Sequence, residues 1–173
     1  MRRADHVFLC PPSPGWKARR YCAAVATAFE PRDPDYEQRV RESFARQGLL
    51  ATFAAELRRI EPGKVEIEVP FSSGMTQQDG FFHAGVGIAI LDSACGYSAL
   101  TLMAAEMRVL TVELKVNLLA PAAGDRLQAH GEVVRPGRNL TVCRGDAYAV
   151  SGGDSRHVAT ILATTTSIAE GGT

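Results

Sequence analysis

The chain of 173 residues is long enough to form one domain with a substantial hydrophobic core. Lysine and arginine together number 19, as do aspartate and glutamate, so the formal net charge is zero. This balance excludes a broad basic surface of the kind that binds nucleic acid or anionic membranes non-specifically. An anionic ligand would have to be held locally, by a few arginines or by backbone amides.

The four cysteines are widely separated and form no Cys-x-x-Cys pair. This spacing argues against a structural zinc site and gives no disulfide framework, so reduced thiols are expected. The apolar run 7–10 is too short for the core of a signal peptide. The weakly charged segment 81–105 carries Asp92 and several glycines, so we interpret it as a buried helix and not as a membrane span. A cytoplasmic protein without a bound metal is expected.

Residues 1–34 mix arginine, proline and small residues without a sustained period. We expect this leader to be disordered or to be an arm that packs on a neighbour. The range 35–170 has the patterns of a folded domain. It begins with a predicted helix whose apolar stripe starts at Tyr36 and whose end is expected at Gly48.

Two strands are predicted next, at about 51–60 and 65–71, joined by a tight turn at Pro62 and Gly63. Four further strands are predicted in the last third of the chain, and their short connections suggest that they pair consecutively as an antiparallel meander. Their expected ranges are 109–118, 126–134, 140–150 and 157–168.

An apolar helix is predicted between these two groups of strands, from His83 to about Ala105. Asp92 is the only residue in it with a formal charge, so the helix must be buried on most sides. Its three glycines, at 85, 87 and 96, each lower the intrinsic helix stability by up to about 1 kcal/mol relative to alanine. Their presence suggests the close approach of another backbone or of a ligand. A single sheet can bury such a helix only by curling around it, which predicts an α+β fold.

Two motifs in this region resemble the hotdog-fold thioesterases. Residues 77–85 read Gln-Gln-Asp-Gly-Phe-Phe-His-Ala-Gly, and residues 91–97 read Leu-Asp-Ser-Ala-Cys-Gly-Tyr. The stretches 112–121 and 133–138 are also similar, and the resemblance covers about 36–168. It is closest to the phenylacetate-degradation type, with 4-hydroxybenzoyl-CoA thioesterases as relatives. In that family a His-Gly-Gly motif opens a long central helix, and an acidic residue lies nine positions after the histidine. The implied fold is a curved antiparallel sheet wrapped around that helix.

The resemblance implies that the chain hydrolyses an acyl- or aryl-CoA thioester, with CoA as part of the substrate and no cofactor. It implies that the amide of Ala84 points at the thioester carbonyl and that Asp92 is the nucleophile or the general base. Gln77 would help to hold the carbonyl or a water, and Thr111 would touch the carboxylate or the water. Such sites lie between two subunits, so a homodimer is expected, with two dimers pairing into a tetramer.

The physics of the helix supports the same arrangement. Helix N-termini present unpaired N–H groups, so Ala84 and Gly85 can stabilise a developing oxyanion. Asp92 lies two and a half turns after His83, roughly 13 Å away by helical rise. One helix therefore cannot readily supply both groups to one carbonyl, whereas two antiparallel copies of it can.

Several positions have more than one interpretation. His83 is either an acid in the reaction or a residue that caps the helix. Arg135 and Arg138 either bind the phosphates of CoA or are solvated turn residues. Regular strand alternation would place Thr111 on the face opposite Val112, away from the helix.

Alanine replaces the first glycine of the family motif, which preserves the backbone amide. The main alternative function is that of a hotdog protein that binds an acyl-CoA without hydrolysing it. A dehydratase is disfavoured by the motif spacing, and an interaction module with a vestigial site is disfavoured by the retention of Asp92.

Overall fold

The computed structural model of the protein describes residues 29–169. Within this range the chain forms three α-helices, one short 3-10 turn and six strands. The helices are α1 (Tyr36–Ala45), α2 (Gly48–Thr52) and α3 (Ala84–Leu100), and the 3-10 turn is Ser73–Met75. The strands are β1 (Glu56–Glu61), β2 (Lys64–Pro70), β3 (Met107–Leu118), β4 (Arg126–Pro136), β5 (Leu140–Ser151) and β6 (Asp154–Ala169). None of the helices in this part of the chain is long and apolar enough to span a bilayer.

The six strands form one antiparallel sheet that curves around α3, so the predicted α+β hotdog fold is confirmed. The strand order is β1-β2-β4-β5-β6-β3. The predicted four-strand meander is therefore wrong in one respect. β4, β5 and β6 do pair consecutively, but β3 pairs with β6 at the far edge of the sheet instead of with β4. Alternation indicates which face of a strand is buried, but it carries no information about the neighbour with which the strand pairs.

Two predicted boundaries also need correction. The strand expected from about residue 51 begins at Glu56, because 48–52 form the helix α2 and bury Leu50. Gly48 opens this second helix and does not end the first one. The hairpin predicted at Pro62 and Gly63 is present between β1 and β2.

Helix α3 ends at Leu100, five residues before the predicted end. The Arg39 side chain from α1 donates hydrogen bonds to the carbonyls of Leu100 and Met103, at 2.8 and 2.9 Å. It also pairs with the buried Asp33 at 3.3 Å. A guanidinium supplied by another element thus satisfies the carbonyl groups that a helix end leaves free.

The middle of α3 lies directly on the sheet at a pair of glycines. Gly131 of β4 and Gly145 of β5 are register partners. A Cβ atom at Gly131 would collide with the carbonyl of Ala94 and lie 2.7 Å from the nitrogen of Cys95. The close approach inferred from the helix glycines is therefore made by glycines of the strands. Burial raises the pKa of the nearby Cys143 thiol to about 12 and also raises that of Cys95, so both stay protonated at neutral pH.

On β1, β2 and β4, the outer face of the sheet carries ion pairs between strands. Glu68 of β2 accepts a hydrogen bond from Gln128 and pairs with Arg58 and Arg126. Burial would raise the pKa of Glu68, but the hydrogen bonds of Gln128 and Arg58 and the charges of both arginines outweigh burial and lower it. This face can therefore lie against water.

The glycine contact gives a stability prediction. We expect Gly131→Ala to lower the free energy of unfolding by about 1 to 3 kcal/mol, because the added methyl group forces α3 away from the sheet. Urea denaturation followed by circular dichroism measures this change. Gly48→Ala is the matched control, since a Cβ atom there meets nothing within 4 Å, and it should not destabilise the protein. Equal stability of the two variants would contradict the contact.

Candidate active site

Two clefts flank α3. The amide cleft lies at the N-terminal end of the helix and includes Gln77, His83, Ala84 and Gly87, together with the segment 118–122. The carboxylate cleft lies beside the middle of the helix. Three parts of the chain line it. They are Ser43 of α1 with Gln47 just after that helix, Asp92, Ser93, Gly96 and Tyr97 of α3, and residues 109–111 of β3. The two clefts share no lining residue.

In the amide cleft, His83 is the N-cap residue of α3. Its Nδ1 accepts a hydrogen bond of 2.9 Å from the amide of Gly85, and its backbone is extended. Accepting at Nδ1 requires a neutral ring with its proton on Nε2. The amide of Gly85 is thus occupied, whereas the amide of Ala84 has no acceptor within the described part of the chain. Ala84 presents the available N–H at the positive end of the helix dipole.

Gln77 belongs to the loop that precedes this helix. Its side-chain oxygen accepts from the amide of Asp79, and its Nε2 donates to the Asp79 carboxylate at 3.3 Å. The backbone amide of Gln77 donates to the carbonyl of Phe81 at 2.9 Å. These bonds hold the Gln77 side chain at the entrance of the amide cleft, with one of its two amide protons left for another acceptor.

In the carboxylate cleft, the Thr111 hydroxyl donates a 2.7 Å hydrogen bond to Oδ1 of Asp92. Ser93 donates to the side chain of Gln47 at 3.2 Å, which ties α3 to the end of α1. Burial raises the pKa of Tyr97 despite the hydrogen bond of Ser43 and the charge of Arg46, which both lower it. The phenol therefore stays neutral, and within the described part of the chain Asp92 is the only acidic side chain that lines this cleft.

A bulge in β3 explains how Thr111 reaches Asp92. Thr111 pairs with Thr165 of β6, whereas Glu113 pairs with the adjacent Thr164, so Val112 is an extra residue. Thr111 lies on the helix side before the bulge, and Leu114 is back on that side after it. The expectation from regular alternation, with Thr111 facing away from the helix, is wrong for this reason.

Arg135 and Arg138 lie in neither cleft. Both are exposed, Arg135 near the end of β4 and Arg138 in the turn before β5. Arg138 lines a cavity of about 170 Å³ with Leu102 and Met103, beyond the C-terminal end of α3. Within one chain, these arginines lie near the C-terminal end of α3, whereas Ala84 is at its N-terminal end.

Sequence reasoning missed the parts of both clefts that come from distant segments. Ser43 and Gln47 reach the carboxylate cleft, and 118–122 forms a wall of the amide cleft. Gly87 lines the amide cleft and Gly96 lines the carboxylate cleft. Glycines in a buried helix were the sequence feature that could have indicated these clefts. Groups of three or more side chains suited to hold a metal are absent from residues 29–169.

The chain is similar to known thioesterases and esterases. The model of the thioesterase superfamily matches residues 79–155. A putative esterase of Saccharolobus solfataricus is 32% identical over 83 residues, a match that covers 48% of this chain and 59% of the relative's length. A 1,4-dihydroxy-2-naphthoyl-CoA hydrolase of Listeria monocytogenes is 24% identical over 95 residues, covering 55% of this chain and 77% of that enzyme.

A solved structure extends this similarity over most of the domain. The thioesterase family protein of Silicibacter pomeroyi is 50% identical and superimposes with a TM-score of 0.76. The match covers 78% of this chain and 98% of that protein. Identity at this level over a whole relative, together with the matching family model, shows that this chain belongs to the thioesterase superfamily.

Proposed function

We propose that the chain hydrolyses an acyl- or aryl-CoA thioester to the free acid and CoA, at a site formed by two copies of the chain. In this site the amide of Ala84 from one copy binds the thioester oxygen. Asp92 of the other copy attacks the carbonyl carbon or activates a water that does so. The main support for a site formed by two copies is the distance between these two groups within one chain. They lie more than two helical turns apart and in different clefts.

The Ala84 amide suits the stabilising role. It is an N–H at a helix N-terminus, where the dipole favours negative charge, and no acceptor for it lies within residues 29–169. One such donor contributes about 3 kcal/mol to the stabilisation of a tetrahedral intermediate. Gln77, held at the entrance of the same cleft by Asp79, supplies a second N–H donor.

Asp92 suits the role of nucleophile or base. It is half-buried, and Thr111 fixes the orientation of its carboxylate through Oδ1. The second carboxylate oxygen then remains for a water or for the carbonyl carbon. A carboxylate held in this way contributes through positioning as well as basicity.

The exposed edge of the sheet favours a second copy of the chain as the partner. β3 is an edge strand of 12 residues, and among residues 29–169 its backbone has a neighbour on one side only. Three of its large apolar side chains, Leu110, Val112 and Leu118, are more than half exposed. A long apolar edge is a liability in a monomer, whereas antiparallel pairing with its own copy would cover it.

That pairing would also bring the two clefts together, because β3 carries Thr111 of the carboxylate cleft and ends at Leu118 of the amide cleft. Further pairing into a tetramer and a cytoplasmic location stay predictions.

Two observations favour CoA thioesters as the substrate class. The Listeria relative is named as a hydrolase of an aryl-CoA. The His-Ala-Gly motif and the acid nine residues after its histidine favour the phenylacetate-degradation type within the superfamily. Arg135 and Arg138 are the proposed phosphate ligands of CoA. Because they lie beyond the C-terminal end of α3, CoA would have to extend across the dimer to reach them.

We expect Asp92→Asn to lower kcat by about 10² to 10⁴-fold while the fold is kept. The asparagine oxygen can still accept the hydrogen bond of Thr111, so the geometry survives the loss of charge. Release of free thiol from a panel of acyl- and aryl-CoA esters measures the effect. Unchanged turnover would remove Asp92 from the mechanism, and tight binding of the esters by the wild type without thiol release would favour the non-catalytic alternative.

Ala84→Pro tests the amide alone. Proline removes the N–H and is well tolerated at the first position of a helix. His83 before it already has the extended conformation, with φ −62° and ψ 137°, that proline requires of its predecessor. We expect kcat to fall by about 10² to 10³-fold with little change in melting temperature. Ala84→Gly keeps the amide and should lose far less activity, so equal losses in the two variants would contradict an oxyanion role.

Mixing the two inactive variants tests the shared site. If each site takes Ala84 from one chain and Asp92 from the other, a mixed dimer of Ala84→Pro and Asp92→Asn holds one intact site. After denaturation and refolding together, the equimolar mixture should regain about one quarter of the wild-type activity. The separately refolded variants are the control. No recovery, with mixed dimers confirmed by mass spectrometry, would place both groups in one chain.

A further inference from the structure

The segment formed by α1 and the residues just after it runs antiparallel to the second half of α3. Three side-chain contacts fasten the two together. The pairs, in order along the first segment, are Arg39 with Leu100, Phe44 with Tyr97 and Gln47 with Ser93. As the contacts advance along this segment they move back along α3, so the last of them lies one residue from Asp92. The packing of α1 therefore determines where the Gln47 side chain lies in the carboxylate cleft.

The Gln47 side chain is directed at α3 and not at its own helix. Gln47 is the N-cap residue of α2, a position where serine, threonine, aspartate and asparagine commonly accept a hydrogen bond from a free amide. Within the described residues its side chain makes no such bond. Its Oε1 accepts instead from the Ser93 hydroxyl at 3.2 Å. An accepting oxygen leaves both hydrogens of Nε2 for other acceptors, and none among residues 29–169 is bonded to them.

Gln47 and Asp92 line the same space. Both belong to the carboxylate cleft, which has a volume of about 330 Å³, and within the described chain no hydrogen bond joins them. Thr111 occupies Oδ1 of Asp92, which leaves Oδ2 as an acceptor. The cleft therefore offers an N–H donor from one element and a carboxylate oxygen from another. A water needs two to four polar partners and about 30 Å³ of space, and these two groups provide such a site.

We propose that Gln47 is a catalytic residue that holds the attacking water between its Nε2 and Oδ2 of Asp92. This inference rests on the proposed thioesterase function and deepens it, because it makes Asp92 the general base. The water accepts one hydrogen bond from Gln47 and donates one to Asp92. Its second lone pair is then free to attack the thioester carbon. Ser93, which orients the amide of Gln47, is a positioning residue.

The attack forms a bond between the oxygen of the water and the thioester carbon, and Asp92 takes one proton of the water. An electron pair of the carbonyl double bond moves to the carbonyl oxygen, which Ala84 of the other copy stabilises. When the intermediate collapses, this pair restores the double bond and the carbon–sulfur bond breaks. The sulfur leaves with the electrons of that bond and receives the proton from Asp92, which gives the acid and the free thiol of CoA. Gln47 keeps its protons throughout, so its contribution is the position of the water.

Gln47→Leu removes the amide and nearly keeps the size of the side chain. For the best substrate of the CoA-ester panel, we expect kcat to fall by about 10 to 10²-fold. KM should change by less than about two-fold, because the lost contact is to the water and not to the ester. Gln38→Leu is the matched control, the same change at an exposed position of α1 where the side chain donates to Glu42 at 2.8 Å. It should leave kcat unchanged.

Ser93→Ala tests the positioning role. This change removes the hydroxyl that orients Oε1 but leaves the Gln47 amide in the cleft, so kcat should fall several-fold. The double variant that combines Ser93→Ala with Gln47→Leu should be no slower than Gln47→Leu alone, because the hydroxyl acts only through the amide. Losses that multiply in the double variant would overturn the role of Ser93.

Gln47→Glu provides a readout that a purely structural role would not change. It adds a second carboxylate to the cleft, and two carboxylates that share a site resist being ionised together. The acid limb of the kcat–pH profile should therefore move to higher pH by about half a unit or more. Gln38→Glu, on the exposed side of α1, should leave the limb in place. An unshifted limb in Gln47→Glu would show that this side chain does not face Asp92, and it would overturn the inference.

Thiol release separates this inference from the proposed function. If Asp92→Asn loses activity while Gln47→Leu keeps the wild-type kcat, the water site is overturned and the proposed hydrolysis stands. If the wild type releases no thiol from any ester of the panel, both fail. Circular dichroism confirms that each variant is folded. Should Gln47→Leu fail to fold, the pH profile of Gln47→Glu decides.

Discussion

The close contact of α3 with Gly131, which meets its backbone, and with Gly145, which meets the Cys95 sulfur, fixes how the helix lies on the sheet. Because these strand residues have no side chains, the helix lies against the sheet at Ala94 and Cys95. The amide cleft lies at the N-terminal end of the helix. Beside Asp92, the bulged strand β3 and the end of α1 form the carboxylate cleft.

The regular rise of α3 separates the two chemical groups of the proposed site. A rigid helix fixes Ala84 and Asp92 more than two turns apart, and one chain cannot bring them to the same carbonyl. Division of the site between copies of the chain, as proposed, would make catalysis depend on association. The apolar edge of β3 connects these requirements, since one strand carries Thr111, the exposed Leu110 and the exposed Leu118, which lines the amide cleft.

The backbone groups at the two ends of α3 are satisfied in different ways, and the difference favours the N-terminal end as the proposed substrate-binding end. At the C-terminal end, Arg39 occupies the carbonyls of Leu100 and Met103. At the N-terminal end, His83 takes only the amide of Gly85. The histidine of the motif therefore works here as a cap, and it leaves the Ala84 amide as the group that can receive an oxyanion.

The sequence alone was enough to identify the central helix, its start at His83, its lone Asp92 and the family to which the motifs belong. These features are local, because hydrophobic periodicity and short motifs depend on residues close together in the chain. Tertiary structure decided the rest. The pairing of β3 with β6, the early end of α3 under Arg39 and the contribution of α1 to the carboxylate cleft all involve residues far apart in sequence. The bulge at Val112, which turns Thr111 towards Asp92, depends on pairing with a strand some fifty residues later. The pairing of Ala147 with Ala159 in the amide cleft is likewise set by strand register, which is a property of the assembled sheet.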